Sequence, residues 1–128
     1  MTMHDIESET DVKTLVDAFY RKVLADPVIG FIFTKAVSIN WEQHMPVMYA
    51  FWSNTLLGSG GYSGNPMVKH LELDKKVKLD REHFNRWLLL WEETVKELFN
   101  GKIADEAIVR ARNIASLMLF KINQQHAS

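Results

Sequence analysis

Residues 80–101 read DREHFNRWLLLWEETVKELFNG, and this stretch decides the fold class. Its large apolar residues recur every three or four positions, as they do on one face of an α-helix. Asp80 stands where a helix N-cap is expected, and Gly101 stands where the helix should stop. The spacing therefore predicts one long amphipathic helix over residues 81–99. The residues of its apolar face are Phe84, Trp87, Leu88, Trp91, Val95 and Leu98.

The same helical period recurs along the rest of the chain. It predicts long helices over residues 9–25, 39–57 and 103–124, and short helical pieces over 27–33 and 66–73. Pro46 lies inside one long helix, where it removes a backbone N–H, so we expect that helix to start late or to bend. No segment alternates as a strand would. We therefore expect an all-α protein with its helices packed around one core.

Length and composition are those of an ordinary globular protein. The chain has 128 residues, of which 47% are hydrophobic and 24% charged, so we expect a single domain over 1–128 with tails at 1–8 and 125–128. Lys and Arg number 15 against 16 Asp and Glu. This balance leaves no basic surface for nucleic acid or an anionic membrane. The N-terminal sequence lacks a signal-peptide pattern, and no run of apolar residues could span a membrane, so we expect a cytoplasmic protein.

The residues that could bind a metal are few. The chain has no cysteine, which excludes disulfides, thiolate zinc sites and iron–sulfur clusters. Of the five histidines, His4 and His126 lie in the expected tails and should be solvated. His83 falls in the first turn of its helix, where it is expected to complete a cap or to face water.

Two histidines remain as candidates. His44 shares the inward face of its helix with Met48 and Phe51, at spacings of four and seven residues. His70 lies in the short helix over 66–73 among apolar neighbours, an unusual environment for an imidazole. It is either a packed core residue or a metal ligand.

Most familiar enzyme motifs are missing. There is no H-E-x-x-H, no G-x-S-x-G and no phosphate-binding glycine loop, and the adjacent Glu92 and Glu93 point in different directions on a helix. Aromatic residues are abundant, with four Trp, seven Phe and three Tyr. Such a stripe is more often core than cofactor site. Tyr20 and Trp87, however, carry an O–H and an N–H that need partners when buried, and a bound polar ligand could supply them.

Taken together, these segments resemble the truncated haemoglobins, specifically the third group of that family. The order and spacing of the matching residues carry the resemblance, which runs from about residue 20 to 91. They are Phe19-Tyr20, Ile29-Gly30-Phe31-Ile32-Phe33, Trp41-x-x-His44, Phe51-Trp52-x-x-x-Leu56-Leu57-Gly58, Tyr62-x-Gly64-Asn65-Pro66, His70-Leu71-x-Leu73 and Phe84-x-x-Trp87.

The resemblance implies a fold, a cofactor and a set of site residues. The implied fold is a shortened globin in which two antiparallel helix pairs sandwich haem b, an iron protoporphyrin IX. His70 is then the iron ligand, and no residue is assigned a catalytic role. The distal side is formed by Tyr20, His44 and Trp87, the porphyrin face by Phe33, and the wall by Met48, Phe51 and Trp52.

The resemblance also implies a function. The ligands would be O₂, CO and NO, and donors such as Tyr20 and Trp87 would hold O₂ tightly, which favours ligand capture or conversion of NO to nitrate over oxygen transport. Peroxidase-like turnover is another expectation, and redox turnover would need a reductase. We expect a monomer. Two alternatives stay open from the residues: a haem-free helical module that binds a partner helix or apolar ligand, and a non-haem metal enzyme.

Overall fold

The computed structural model describes residues 3–36, 40–58 and 79–126, and within them every regular element is helical. The all-α prediction is therefore confirmed. The short helix predicted around His70 lies outside the described residues. In chain order the elements are α1 (Glu9–Ala25), a π-helical turn (Ile32–Ala36), α2 (Trp41–Leu57), α3 (Arg81–Leu98) and α4 (Lys102–His126).

Helix α1 begins and ends where its sequence predicts. The Ser8 side chain caps it by accepting from the Asp11 N–H at 3.2 Å. At the other end, Asp26 is followed by Pro27, and the Asp26 carboxylate accepts from the backbone N–H groups of Val28 and Ile29, each at 3.0 Å. The same aspartate thus ends one helix and caps the piece that follows.

Helix α2 begins without delay. The Asn40 side chain accepts from the Gln43 N–H at 3.3 Å, and the helix continues from Trp41 past Pro46 to Leu57. The expectation of a late start at Pro46 is therefore wrong. The helix ends as predicted, at Gly58, whose φ of 68° lies in the left-handed region that glycine adopts without strain.

Helices α3 and α4 pack against each other. Asp80 caps α3 as part of a reciprocal capping box. The Asp80 carboxylate accepts from the His83 N–H, and the His83 Nδ1 atom accepts from the Asp80 N–H at 3.2 Å. The capping role predicted for His83 is confirmed. The pair is antiparallel: its turn lies at residues 99–101, and the buried Trp91 of α3 donates its indole N–H to the carbonyl of Ala107 in α4 at 3.0 Å.

The N-terminal segment is tied to the helices. Ile6 is only 2% exposed, and the Asp5 carboxylate accepts from the N–H groups of Ile103 and Ala104 at 2.9 and 2.8 Å. Asp5 therefore caps α4 from 98 residues away. The tail expected over residues 1–8 is corrected at Asp5, Ile6 and the capping Ser8.

Helix α1 pairs with α2 and also packs against α3, and it thereby joins the two helix pairs into one core. It runs antiparallel to α2, since Asp17 and Tyr20 of α1 meet Tyr49 and His44 of α2 in reverse order. The indole of Trp52 in α2 stacks on that of Trp91 with ring centroids 4.3 Å apart. Among the described helices, none combines the length and the apolar character that crossing a bilayer requires.

Candidate ligand pocket

Tyr20 and His44 form the polar centre of the candidate site. They lie on α1 and α2, 24 residues apart, and the His44 Nε2 atom is 3.2 Å from the Tyr20 hydroxyl. Their rings meet edge to face with centroids 5.5 Å apart, and both side chains are half-buried. Two residues that the sequence placed on the distal side are therefore in direct contact.

Two further rings enclose this pair. Phe33, predicted to lie on the porphyrin face, meets the Tyr20 ring at 6.1 Å. Trp41, the first residue of α2, meets Tyr20 at 5.7 Å, His44 at 5.4 Å and Phe33 at 6.4 Å between ring centroids. We name Tyr20, Phe33, Trp41 and His44 the Tyr20 cluster.

Trp41 was not among the predicted cofactor-binding residues. A signal for its position existed, because it precedes His44 by three residues and shares its helix face. What the sequence lacked was the contact with Tyr20, which depends on how α1 and α2 cross. Trp41 is therefore the residue of this cluster that the site prediction missed.

Trp87 lies beside the Tyr20 cluster on α3. Its ring packs edge-on against Phe19 at 5.9 Å, and Phe19 in turn packs edge-on against Tyr20 at 5.2 Å. Trp87 is half-buried, and among the described residues no group accepts a hydrogen bond from its indole N–H. An aromatic donor in such a position is suited to a ligand from outside the chain.

The three predicted wall residues follow His44 along α2. Met48 and Phe51 are half-buried, whereas Trp52 is 5% exposed and belongs to the core through its stacking on Trp91. Phe51 also lines an open groove of roughly 300 Å³ between α2 and α4, opposite Ile114 and Leu117. Whether these three residues contact a cofactor stays a prediction.

The predicted iron ligand His70 lies outside the described residues. The described part of the candidate site thus contains the predicted distal, porphyrin-face and wall residues but not the predicted iron ligand. The assignment of His70 remains a prediction.

Burial controls the ionisation of the tyrosine in this pocket. It raises the pKa of the Tyr20 phenol well above its ordinary value of 10.0. Tyr20 therefore keeps its hydrogen at any physiological pH. It can donate to a ligand and accept from His44 at the same time.

The donor set fits a haem that carries a small ligand with partial negative charge. Tyr20 supplies an O–H, Trp87 supplies an N–H without an acceptor in the described chain, and aromatic rings pack beside both donors. Donors in such a partly dry pocket bind a partly charged atom more strongly than they would in water.

Comparison with known proteins gives the class and then the family. The computed fold matches the crystal structure of group III truncated hemoglobin from Campylobacter jejuni with a TM-score of 0.83 and 28% identity, covering 99% of this chain and 100% of that one. The molecule therefore has the truncated globin fold. The family model for bacterial-like globins matches residues 3–120, and the group 3 truncated hemoglobin ctb of C. jejuni is 35% identical over 119 residues, which is 91% of each chain. The chain belongs to the bacterial-like globin family and is a truncated haemoglobin of group III.

Family membership decides between the alternatives that the residues left open. Globins bind haem b, and this chain is a haem protein that binds diatomic ligands such as O₂. Neither the haem-free module nor the non-haem metal enzyme is needed to explain the Tyr20 cluster. The role of each pocket residue is a separate question.

Proposed function

We propose that this globin captures and retains O₂ rather than carrying it, with His70 as the iron ligand and with Tyr20 and Trp87 as hydrogen-bond donors to the gas. When bound, the haem supplies a ferrous iron that binds the gas and passes partial negative charge onto it. The observation that carries the proposal is that two aromatic donors, the O–H of Tyr20 and the N–H of Trp87, belong to rings that both pack against Phe19.

The direction of the Tyr20–His44 hydrogen bond decides whether Tyr20 can donate a hydrogen bond to the gas. A phenol has a single hydrogen, and if Tyr20 donated it to His44 none would remain for a ligand. If the His44 Nε2–H donates instead, Tyr20 keeps its hydrogen, and the two bonds in series strengthen each other. The proposal therefore requires His44 to carry its hydrogen on Nε2 while the ligand is bound.

Tight retention favours chemistry over carriage. A carrier must release O₂ easily, whereas a protein that holds it can expose it to a second reactant. Nitric oxide is small enough to enter a ring-lined pocket, and NO, O₂ and one electron combine to give one nitrate ion. In a single turnover the ferrous haem would supply this electron and be left ferric, and a reductase would be needed to return it to the ferrous state. Mixing the O₂-loaded protein with one equivalent of NO should yield one nitrate per haem, and nitrite as the product would contradict this part of the proposal.

The haem site is tested by spectra of purified protein. The ferric, ferrous and CO-bound forms should show intense Soret bands that shift between states. His70→Ala should abolish or greatly weaken haem retention because it removes the iron ligand. The matched control is His83→Ala, which removes only a helix-capping imidazole and should keep the haem. Full haem retention in His70→Ala would exclude His70 as the ligand.

The distal donors are tested by O₂ release. Tyr20→Phe should keep the haem and speed O₂ dissociation about tenfold to a hundredfold, the effect of losing one hydrogen bond to a partly charged atom. Tyr49→Phe is the control, because Tyr49 lies on the same helix as His44 but donates to Asp17, away from the pocket. Equal release rates in Tyr20→Phe and the parent would remove Tyr20 from its role.

A further inference from the structure

Trp41 has a position that core packing does not explain. It is the first residue of α2 and is half-buried. The buried residues of that helix are Trp52, Ser53 and Leu56, all in its second half. In the first half of α2, Met45, Met48 and Tyr49 are partly buried against the core, whereas Trp41 packs on the rings of the Tyr20 cluster.

Among the described residues, Trp41 has ring contacts only with members of the Tyr20 cluster. It meets Tyr20 and His44 edge to face, with interplanar angles of 71° and 86°, and it also contacts Phe33. The hydrogen bond between Tyr20 and His44 joins two half-buried side chains on different helices at 3.2 Å. Each ring could turn about its own side-chain bonds, and the indole limits both rotations at once.

We propose that Trp41 is a positioning residue that holds His44 against the Tyr20 hydroxyl, so that the Tyr20 O–H stays directed at the ligand. The inference rests on the proposed role of Tyr20 in holding O₂. It adds that Trp41, at the start of α2, contributes to how strongly Tyr20 retains O₂. Trp41 itself does not touch the ligand; it acts through Tyr20 and His44.

The test is a double-mutant cycle on the haem-loaded protein. Trp41→Leu should speed O₂ dissociation about threefold to tenfold, as expected for coupled neighbouring residues, and should leave the rate unchanged when Tyr20 is already phenylalanine. The C–O stretching band of the CO-bound form, which reports hydrogen bonding to the ligand, should shift toward that of Tyr20→Phe. Trp41→Phe retains a ring and should show a smaller change in the same direction.

The outcomes separate this inference from the function on which it rests. If Tyr20→Phe leaves O₂ dissociation unchanged, the proposed role of Tyr20 fails. If Tyr20→Phe has its effect but Trp41→Leu acts equally in both backgrounds, or shifts no C–O band, Trp41 is a packing residue and the inference is wrong. Tyr49→Phe serves as the control for a general loosening of α2, and should change neither readout. If Trp41→Leu does not retain haem, the same cycle with Trp41→Phe decides.

Discussion

Trp87 and Trp91 lie one turn apart on α3, and their rings are nearly parallel, at an interplanar angle of 8°. Their indole N–H groups nevertheless differ in hydrogen bonding. Trp91 is 1% exposed and donates to the carbonyl of Ala107. Trp87 is half-buried, and no described group accepts from it. The comparison teaches that residue type and helix face do not separate a core residue from a ligand-facing one. What separates them is whether the polar atom has a hydrogen-bond partner within the described chain.

The same difference in hydrogen-bond pairing distinguishes the core from the Tyr20 cluster. Around the core, buried polar groups are paired within the chain: Thr94 donates to the carbonyl of Leu90 at 2.6 Å, and Asp26 accepts from Arg86 at 2.6 Å. In the Tyr20 cluster the polar groups are only half-buried, and a hydrogen bond between helices joins Tyr20 to His44. We therefore expect substitutions in the first region to change stability and substitutions in the second to change ligand release.

The largest expected effect is on the core side of the comparison. Trp91→Leu removes the stacking partner of Trp52 and the indole N–H that donates to the Ala107 carbonyl. It should lower the free energy of unfolding by about 3–5 kcal/mol, in the range of large-to-small aromatic substitutions in cores. Denaturant unfolding of the CO-bound protein measures this. A loss below about 1 kcal/mol would show that the Trp91 region is not the core that its burial indicates.

The next effect concerns the buried carboxylate of Asp26. Burial opposes its ionisation and is the largest single influence, but hydrogen bonds from Arg86, Ile29 and Val28 together outweigh it and hold the pKa below 3.8. Asp26→Asn should cost about 2–3 kcal/mol at neutral pH, because it leaves Arg86 unpaired and weakens the cap.

The pH dependence of that cost has a definite sign. A carboxyl group with a lowered folded-state pKa stabilises the fold above its unfolded pKa, and this contribution is lost as the pH falls through the folded value. The stability difference between the parent and Asp26→Asn should therefore be full at neutral pH and shrink below about pH 4. Unfolding curves of both proteins between pH 3 and 7 measure it, and a difference that grows on acidification would contradict the assignment.

Much of the fold could be predicted from the sequence because its signals are local. Helix periods and caps lie within a few residues of one another, so the start of α1 at Glu9, the stop at Gly58 and the Asp80–His83 cap were all predictable. The resemblance of spaced residues supplied the globin assignment. Even the proximity of Tyr20 and His44 came from that resemblance, since nothing local links residues 24 positions apart.

What the sequence could not supply are contacts set by how helices cross. Asp5 caps a helix 98 residues away, so its segment appeared to be a tail. Trp41 meets Tyr20 only because α1 and α2 run antiparallel at that point. At Pro46 a local rule predicted too much: it allowed a late start or a bend, and the late start is wrong because the Asn40 cap begins the helix at Trp41.

A smaller effect is expected on the pocket side of the comparison. Trp87→Phe keeps the ring against Phe19 and removes only the indole N–H. Because this N–H has no acceptor in the described chain, the free energy of unfolding should change by less than about 1 kcal/mol. O₂ dissociation should become about tenfold faster. Stopped-flow replacement of O₂ by CO measures the rate. Unchanged release with a large loss of stability would reverse the roles assigned to Trp87 and Trp91.

The smallest expected effect concerns Asp5. It tests whether a polar group that is paired within the chain can be replaced without changing O₂ release. Hydrogen bonds from Ile103, Ala104 and Ile6 outweigh the larger single effect of burial and hold the pKa of Asp5 below its ordinary value of 3.8, which marks it as an ionised cap of α4. Asp5→Ala should cost about 1 kcal/mol, as expected for the loss of a helix cap, and Asp5→Asn should recover part of it. Neither variant should alter O₂ release, because α4 meets Asp5 at the end where Trp91, not Trp87, is anchored. If release changes with Asp5, the two regions are coupled through α4, and the division between a paired core and a ligand-facing pocket does not hold.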